Sequence, residues 1–443
     1  MRRSLAADAS AAGPLAFTFG CWYTWTAVGV AFPLLGLVLI PVAGLLAQGA
    51  YEAFPVLAAT HVATLAWGTM TIMGASMQMA PALLGARIRG ERTVPWQYAL
   101  FTLSVLGIVA GFAIGDLAFV IAGAAGVNVA SWWFLALIAS AVTSTGLKRA
   151  ILSPQLPVAF GCYVLVLLWG AALAANLRWG MWPAALSGHR GVVVHLTLGL
   201  GGWFGLMVVG TFYRLVPLLH GARVASRSRG WTILWAGVFA IAAALVGVTL
   251  GVSWMLRTAA ILAAAAFLFF GWEVVHVLSH RRSGAPDLNV SHWYVVVAYS
   301  TVLAGLAAAW GLGWFATVRP EQLGACVVVL FLLGWVTQTI LGQLYKVTPF
   351  LMWYYRATIP DVMAISRQTA LYSPWLGRVV LWLSNGGVIA LVIGLWEHAA
   401  LVAQAGAGSF AAAACLLAYL LAYRWVPAAV RRSLVFEWRW RIS

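Results

Sequence analysis

Long apolar runs alternate with short polar breaks along this chain, and most of its charge sits in the breaks. A run of about 20 apolar residues is long enough to cross a bilayer as a helix. Such runs fall at about 15–48, 53–85, 96–116, 118–146, 156–176, 190–219, 231–252, 256–279, 293–316, 323–353, 378–396 and 408–425. The pattern predicts an all-α polytopic membrane protein of about twelve transmembrane helices. Several runs exceed the roughly 20 residues needed, which predicts tilt or extension beyond the hydrocarbon.

Charge fixes an expected orientation. With the first helix running outward, the cytoplasmic side receives Arg2, Arg3, Arg87, Arg89, Arg92, Lys148, Arg149, Arg223, Arg227, Arg229, Arg281, Arg282, Arg356, Arg367, Arg378 and a basic tail. The outer side receives only Arg178, Arg190, Arg257 and Arg319. Basic residues collect in cytoplasmic loops, so the bias predicts both termini in the cytoplasm and residence in the inner, cytoplasmic membrane. It also accounts for the net charge of +16 without a nucleic-acid partner.

Composition agrees. Hydrophobic residues make up 63% of the chain and charged ones 8%, against roughly 25% charged in soluble domains. The partner expected from this is the lipid bilayer. Cys21, Cys162, Cys326 and Cys415 lie in apolar runs with no CxxC pair, so they read as small buried residues. The first apolar run continues to about Leu46, too long for a signal-peptide core, and predicts no cleavage. The tail, with Arg431, Arg432, Trp438, Arg439, Trp440 and Arg441, mixes cations with indoles and reads as a segment lying on anionic lipid, or else as a disordered basic tail.

One pattern occurs three times. Trp67, Gly74 and Pro81 are spaced seven and seven, as are Trp203, Gly210 and Pro217, and Trp335, Gly342 and Pro349. Seven residues are two helical turns, so each triplet lies on one face. Glycine lets a neighbouring backbone approach. Proline frees a carbonyl near the cytoplasmic end. The tryptophans fall on the second, sixth and tenth runs, four helices apart. This predicts one membrane domain, 1–443, of three pseudo-threefold-related four-helix units, 1–150, 151–290 and 291–443.

Candidate chemistry rests on histidine. His61 and His195 lie six and eight residues before Trp67 and Trp203, in the outer halves of repeat-related helices. An imidazole inside a bilayer needs a partner. That partner is haem iron or a group on a neighbouring helix. His189 and His398 read as loop residues, while His220 and His292 lie toward the cytoplasm. Glu273, His276 and His280 follow i, i+3, i+7 spacing at the cytoplasmic end of the eighth helix. Glu-x-x-His is a metal spacing in bundles, but an ion pair at a solvated helix end explains one copy as well. Arg214 and Lys346 each stand three residues before a repeat proline, placed to snorkel or to hold an anionic group.

The stretch Gly334-Trp335-Val336 with Ile340 to Pro349 resembles the tenth helix of the C-family (cbb3-type) haem–copper oxidases. Gly210 to Pro217 resembles that family's sixth helix. The twelve-helix, three-unit plan is likewise that of subunit I of the superfamily. The resemblance covers about three helices in motif and most of the chain in topology. It implies a haem b ligand at His61, where the family binds its low-spin haem. The family's two haem histidines on the tenth helix correspond to Val327 and Val329 here, and its copper histidine on the sixth to Thr197, with His195 close by. Residues 231–252 hold no counterpart of the paired copper histidines. A complete oxygen-reducing centre is therefore not expected, and copper has no complete ligand set. The NnrS family of nitric-oxide-response proteins is similar in topology and in this histidine loss.

Three functions stay open at this stage. One is a divergent oxidase-like protein with haem b bound through His61 and His195. It would serve respiratory electron transfer or the handling of nitric oxide or another small ligand, beside a respiratory redox subunit or cytochrome. Another is a transporter of a metal ion or small solute. The third is a structural membrane subunit that anchors a redox partner.

Overall fold

The computed structural model describes residues 14–84, 88–145, 153–182, 188–222, 226–282, 287–356 and 373–423. Every regular element among them is helical. Among the described residues, twelve helices are long and apolar enough to cross a membrane: α1 (Thr18–Ala47), α2 (Phe54–Met79), α3 (Glu91–Ile114), α4 (Leu117–Thr143), α5 (Gln155–Trp179), α6 (His189–His220), α7 (Arg227–Leu250), α8 (Ser253–Ser279), α9 (Leu288–Gly311), α10 (Pro320–Thr348), α11 (Pro374–Trp396) and α12 (Ala400–Leu421). The chain is a polytopic helical membrane protein. The basic tail, together with Arg2, Arg3, Arg87, Lys148, Arg149, Arg223 and Arg367, lies outside the described residues.

Local chemistry sets the helix ends. Gly180, Gly221 and Gly251 take positive φ of 59°, 57° and 70°, which stops α5, α6 and α7 in left-handed caps. Asp287 accepts a hydrogen bond from Val290 N at 3.0 Å and starts α9. Exposed indoles mark helix ends as interfacial anchors do: Trp96 and Trp375 at starts, Trp179 and Trp396 at ends. Leu103, Ile114, Phe119 and Leu165 are exposed along the spans, as lipid-facing side chains must be.

Among the boundaries that differ from the sequence expectation by more than a turn, two have a clear local cause. α9 begins at Leu288 rather than 293, because the Asp287 cap wins over the polar residues that follow it. α12 begins at Ala400 rather than 408. Its glycine-rich start reads as a break in sequence, but Gly406 packs on the backbone of Gly387 and Leu391 in α11. In a membrane, glycine builds close helix contacts as readily as it ends helices.

Contacts gather the chain into two compact units, Met1–Val94 with Tyr345–Ser443, and Pro95–Leu344. In the first, Phe32 of α1 stacks on Trp67 of α2 at 4.1 Å between ring centroids and meets Phe410 of α12 edge-on at 5.4 Å. In the second, Phe212, Phe270 and Trp293 form an edge-to-face cluster joining α6, α8 and α9. This grouping by contact leaves the sequence-derived units 1–150, 151–290 and 291–443 as an expectation.

The repeat has a local structural counterpart. α2, α6 and α10 each change from α to π winding just before their tryptophan and back after it. The wide segments are Val62–Thr69, Thr197–Gly205 and Leu330–Val336. Each tryptophan then meets the preceding helix: Trp67 stacks on Phe32, Trp203 stacks on Tyr163 at 4.2 Å, and Trp335 donates to Ser300 Oγ at 2.8 Å. The repeat glycines do the same. A Cβ on Gly74 would stand 2.8 Å from Gly20 O, one on Gly210 2.8 Å from Leu156 Cδ2, and one on Gly342 2.8 Å from His292 Cβ. Thr337 Oγ1 donates to Leu332 O at 2.8 Å, five residues back, and so pairs a carbonyl of the wide turn.

Candidate functional site

His61 closes the α-helical first part of α2, and the π segment begins at the next residue. Its ring is half-buried, and Nδ1–H donates to Leu57 O at 2.8 Å. A neutral imidazole protonated on Nδ1 carries its lone pair on Nε2, the arrangement of a ligating histidine. The same junction in α10 is Val329, a buried side chain with no donor atom. In α6 the winding changes at Thr197, whose hydroxyl donates to Val193 O at 2.8 Å.

His195 sits two residues before that junction. Its ring rests on Gly170 of α5, where a Cβ would come within 2.8 Å of Cε1. Only a glycine at that place on α5 leaves room for the imidazole between the two helices. His61 falls in the first unit and His195 in the second. A haem iron needs no more than one or two axial imidazoles, and His61 fits that role by its tautomer. Among the described residues no three His, Cys, Asp or Glu side chains come together.

Glu273, His276 and His280 do not share one environment. Glu273 is fully buried and bonded to α7: Arg229 Nε donates to Oε2 at 2.5 Å, and Ser226 N donates to Oε1 at 3.2 Å. Its carboxylate therefore serves a cation and the first turn of α7. His276 is half-buried and stacks on Trp272 at 5.4 Å, while His280 is exposed. Their rings lie 4.8 Å apart. His189 is the first residue of α6, and His398 Nδ1–H donates to Ala47 O at 2.8 Å from the turn before α12.

A polar seam joins α6, α9 and α10 in the second unit. His220 Nε2–H donates to Asn289 Oδ1 at 2.7 Å, and Asn289 Nδ2–H donates to Gly342 O at 2.7 Å. One turn along α9, His292 Nδ1–H donates to Gln338 Oε1 at 2.7 Å. All four side chains are buried. Sequence reasoning noted the two histidines but missed the seam, because it started α9 after Asn289 and His292. The signal that finds it is Asp287, a helix cap three residues before Val290.

No protein-family model matches the chain, and no curated protein matches it either.

Proposed function

We propose that this chain is a membrane haem protein, a divergent relative of subunit I of the haem–copper oxidases. It holds haem b through His61, with His195 as a further candidate ligand. It works in respiratory electron transfer or in handling nitric oxide or a similar small ligand, beside a redox subunit or cytochrome. One observation carries the reading: His61 Nδ1–H is committed to Leu57 O, which orients the ring and puts the coordinating lone pair on Nε2. The place of His61 six residues before a repeat tryptophan supports it.

When bound, haem b supplies one-electron transfer and a place for a small axial ligand. The protein's part is to fix the imidazole and keep water away. The Leu57 carbonyl does the first, and buried Val62, Ala63 and Trp67 line the segment that follows. Valines at 327 and 329 offer no nitrogen to iron or copper, so oxygen reduction at a paired metal centre is not part of the proposal.

The test is optical. Purified protein from haem-replete cells should show a Soret band and a reduced α band, and His61→Ala should abolish or shift them. Colourless wild-type protein defeats the cofactor, and an unchanged spectrum in the variant defeats the assignment to His61.

A transporter of a metal ion or small solute is the second reading, favoured by the buried seam of His220, Asn289, His292 and Gln338. Buried polar and ionisable groups in membrane-spanning helices mark solute paths in many membrane proteins. Stabilisation of haem-free protein by an added solute would favour it over the first.

A further inference from the structure

The end of α8 carries a site the haem reading does not use. His276 and His280 are one turn apart on the same face. Each ring is held in place. His276 stacks on Trp272 at an interplanar angle of 19°, and Arg229 lies over the Trp272 ring at 5.1 Å. His280 Nδ1–H donates to His276 O at 2.8 Å, with Ser279 Oγ at 3.1 Å from the same nitrogen. That leaves Nε2 as the donor atom of His280. The ring centroids are 4.8 Å apart. Metal–nitrogen bonds of about 2.1 Å let two imidazoles on one ion stand up to about 6 Å apart, centroid to centroid.

We propose that His276 and His280 form a two-histidine site for a late first-row divalent ion, with copper(II) bound most tightly and water completing the coordination. Imidazole pairs suit this class of ion, and the Irving–Williams order places copper(II) at its head. The last carbonyls of the 27-residue helix Ser253–Ser279 give that end negative character, which favours a cation. Opposing it are Arg229, Arg281 and Arg282. Glu273 already answers the first of these, which is why it is a partner of α7 rather than a third ligand. The site opens at the polar end of α8, where His280 is exposed, so an ion arrives from water rather than through lipid.

The experiment uses full-length protein purified without a polyhistidine tag, stripped with a chelator and dialysed against buffered copper(II) with excess magnesium. Wild-type protein should take up one copper per chain. His276→Ala and His280→Ala should each weaken binding by about tenfold or more, at least what loss of an outer partner costs a metal site. Both side chains lie at the surface end of the helix, so the thermal midpoint should not change. His61→Ala should bind copper as the wild type does, which separates this site from the haem proposal. No uptake above a protein-free control, or undiminished uptake in either alanine variant, overturns the site.

Discussion

Trp335 donates its indole N–H to Ser300 Oγ at 2.8 Å, and Ser300 Oγ in turn donates to Val296 O at 2.8 Å. Both side chains are buried, so the indole has no access to water. Ser300→Ala should therefore cost about 1–3 kcal/mol, the desolvation of an unpaired buried donor. Thermal denaturation in detergent measures it, and an unchanged midpoint would show the indole finding another acceptor.

The repeat glycines should not be equally sensitive. A Cβ on Gly74 would meet Thr24 Oγ1 at 2.7 Å, Gly20 O at 2.8 Å and Tyr23 Cβ at 3.0 Å, and neither the backbone oxygen nor a Cβ can turn away. Gly210 faces the flexible end of Leu156. Gly74→Ala should destabilise by about 1–3 kcal/mol, as overpacking does, and Gly210→Ala by less, because Leu156 can turn away. Equal losses in unfolding midpoint would contradict this ordering.

Glu273 and Arg229 should respond asymmetrically. Arg229→Ala leaves a carboxylate with no side-chain exposure beside Ser226 N alone, whereas Glu273→Gln keeps the shape and removes the charge. Breaking a buried pair costs about 3–5 kcal/mol, and Arg229, at 32% exposure, places this one at or below the low end. The arginine variant should lower the midpoint more than the glutamine variant. The reverse order would mean that the carboxylate reaches water.

Asn289 makes two ties at once, to His220 and to the Gly342 carbonyl. Asn289→Leu should cost about 1–3 kcal/mol for the pairing removed. It should also speed hydrogen exchange at the end of α6, where Arg282 N donates to His220 O at 3.3 Å. Exchange at wild-type rates would show that α6 is held by its other contacts.

The spans were readable because their signal is additive. Twenty apolar residues outweigh any single one, so all twelve helices follow from hydropathy. The repeat was readable too, since Trp, Gly and Pro keep their spacing even where the rest of the helix changes. The wide turns were not. Val62–Thr69 and Leu330–Val336 contain no residue that demands π winding. The Glu273 partner was hidden for a related reason. Sequence placed the nearest cations at Arg281 and Arg282, but helix pairing brings in Arg229 from 44 residues away. For His61, the sequence supplied the position and the fold supplied the tautomer.

The π segments have a bearing on how this chain can be edited. A residue absorbed by a wider turn rotates everything upstream by about 100° relative to α winding. Removing one residue between His61 and Trp67 returns the segment to α winding, so Trp67 and Gly74 below it and the imidazole above it all keep their faces. Such a deletion removes the wide turn alone, and so isolates what π winding itself contributes while sparing the packing on both sides of it.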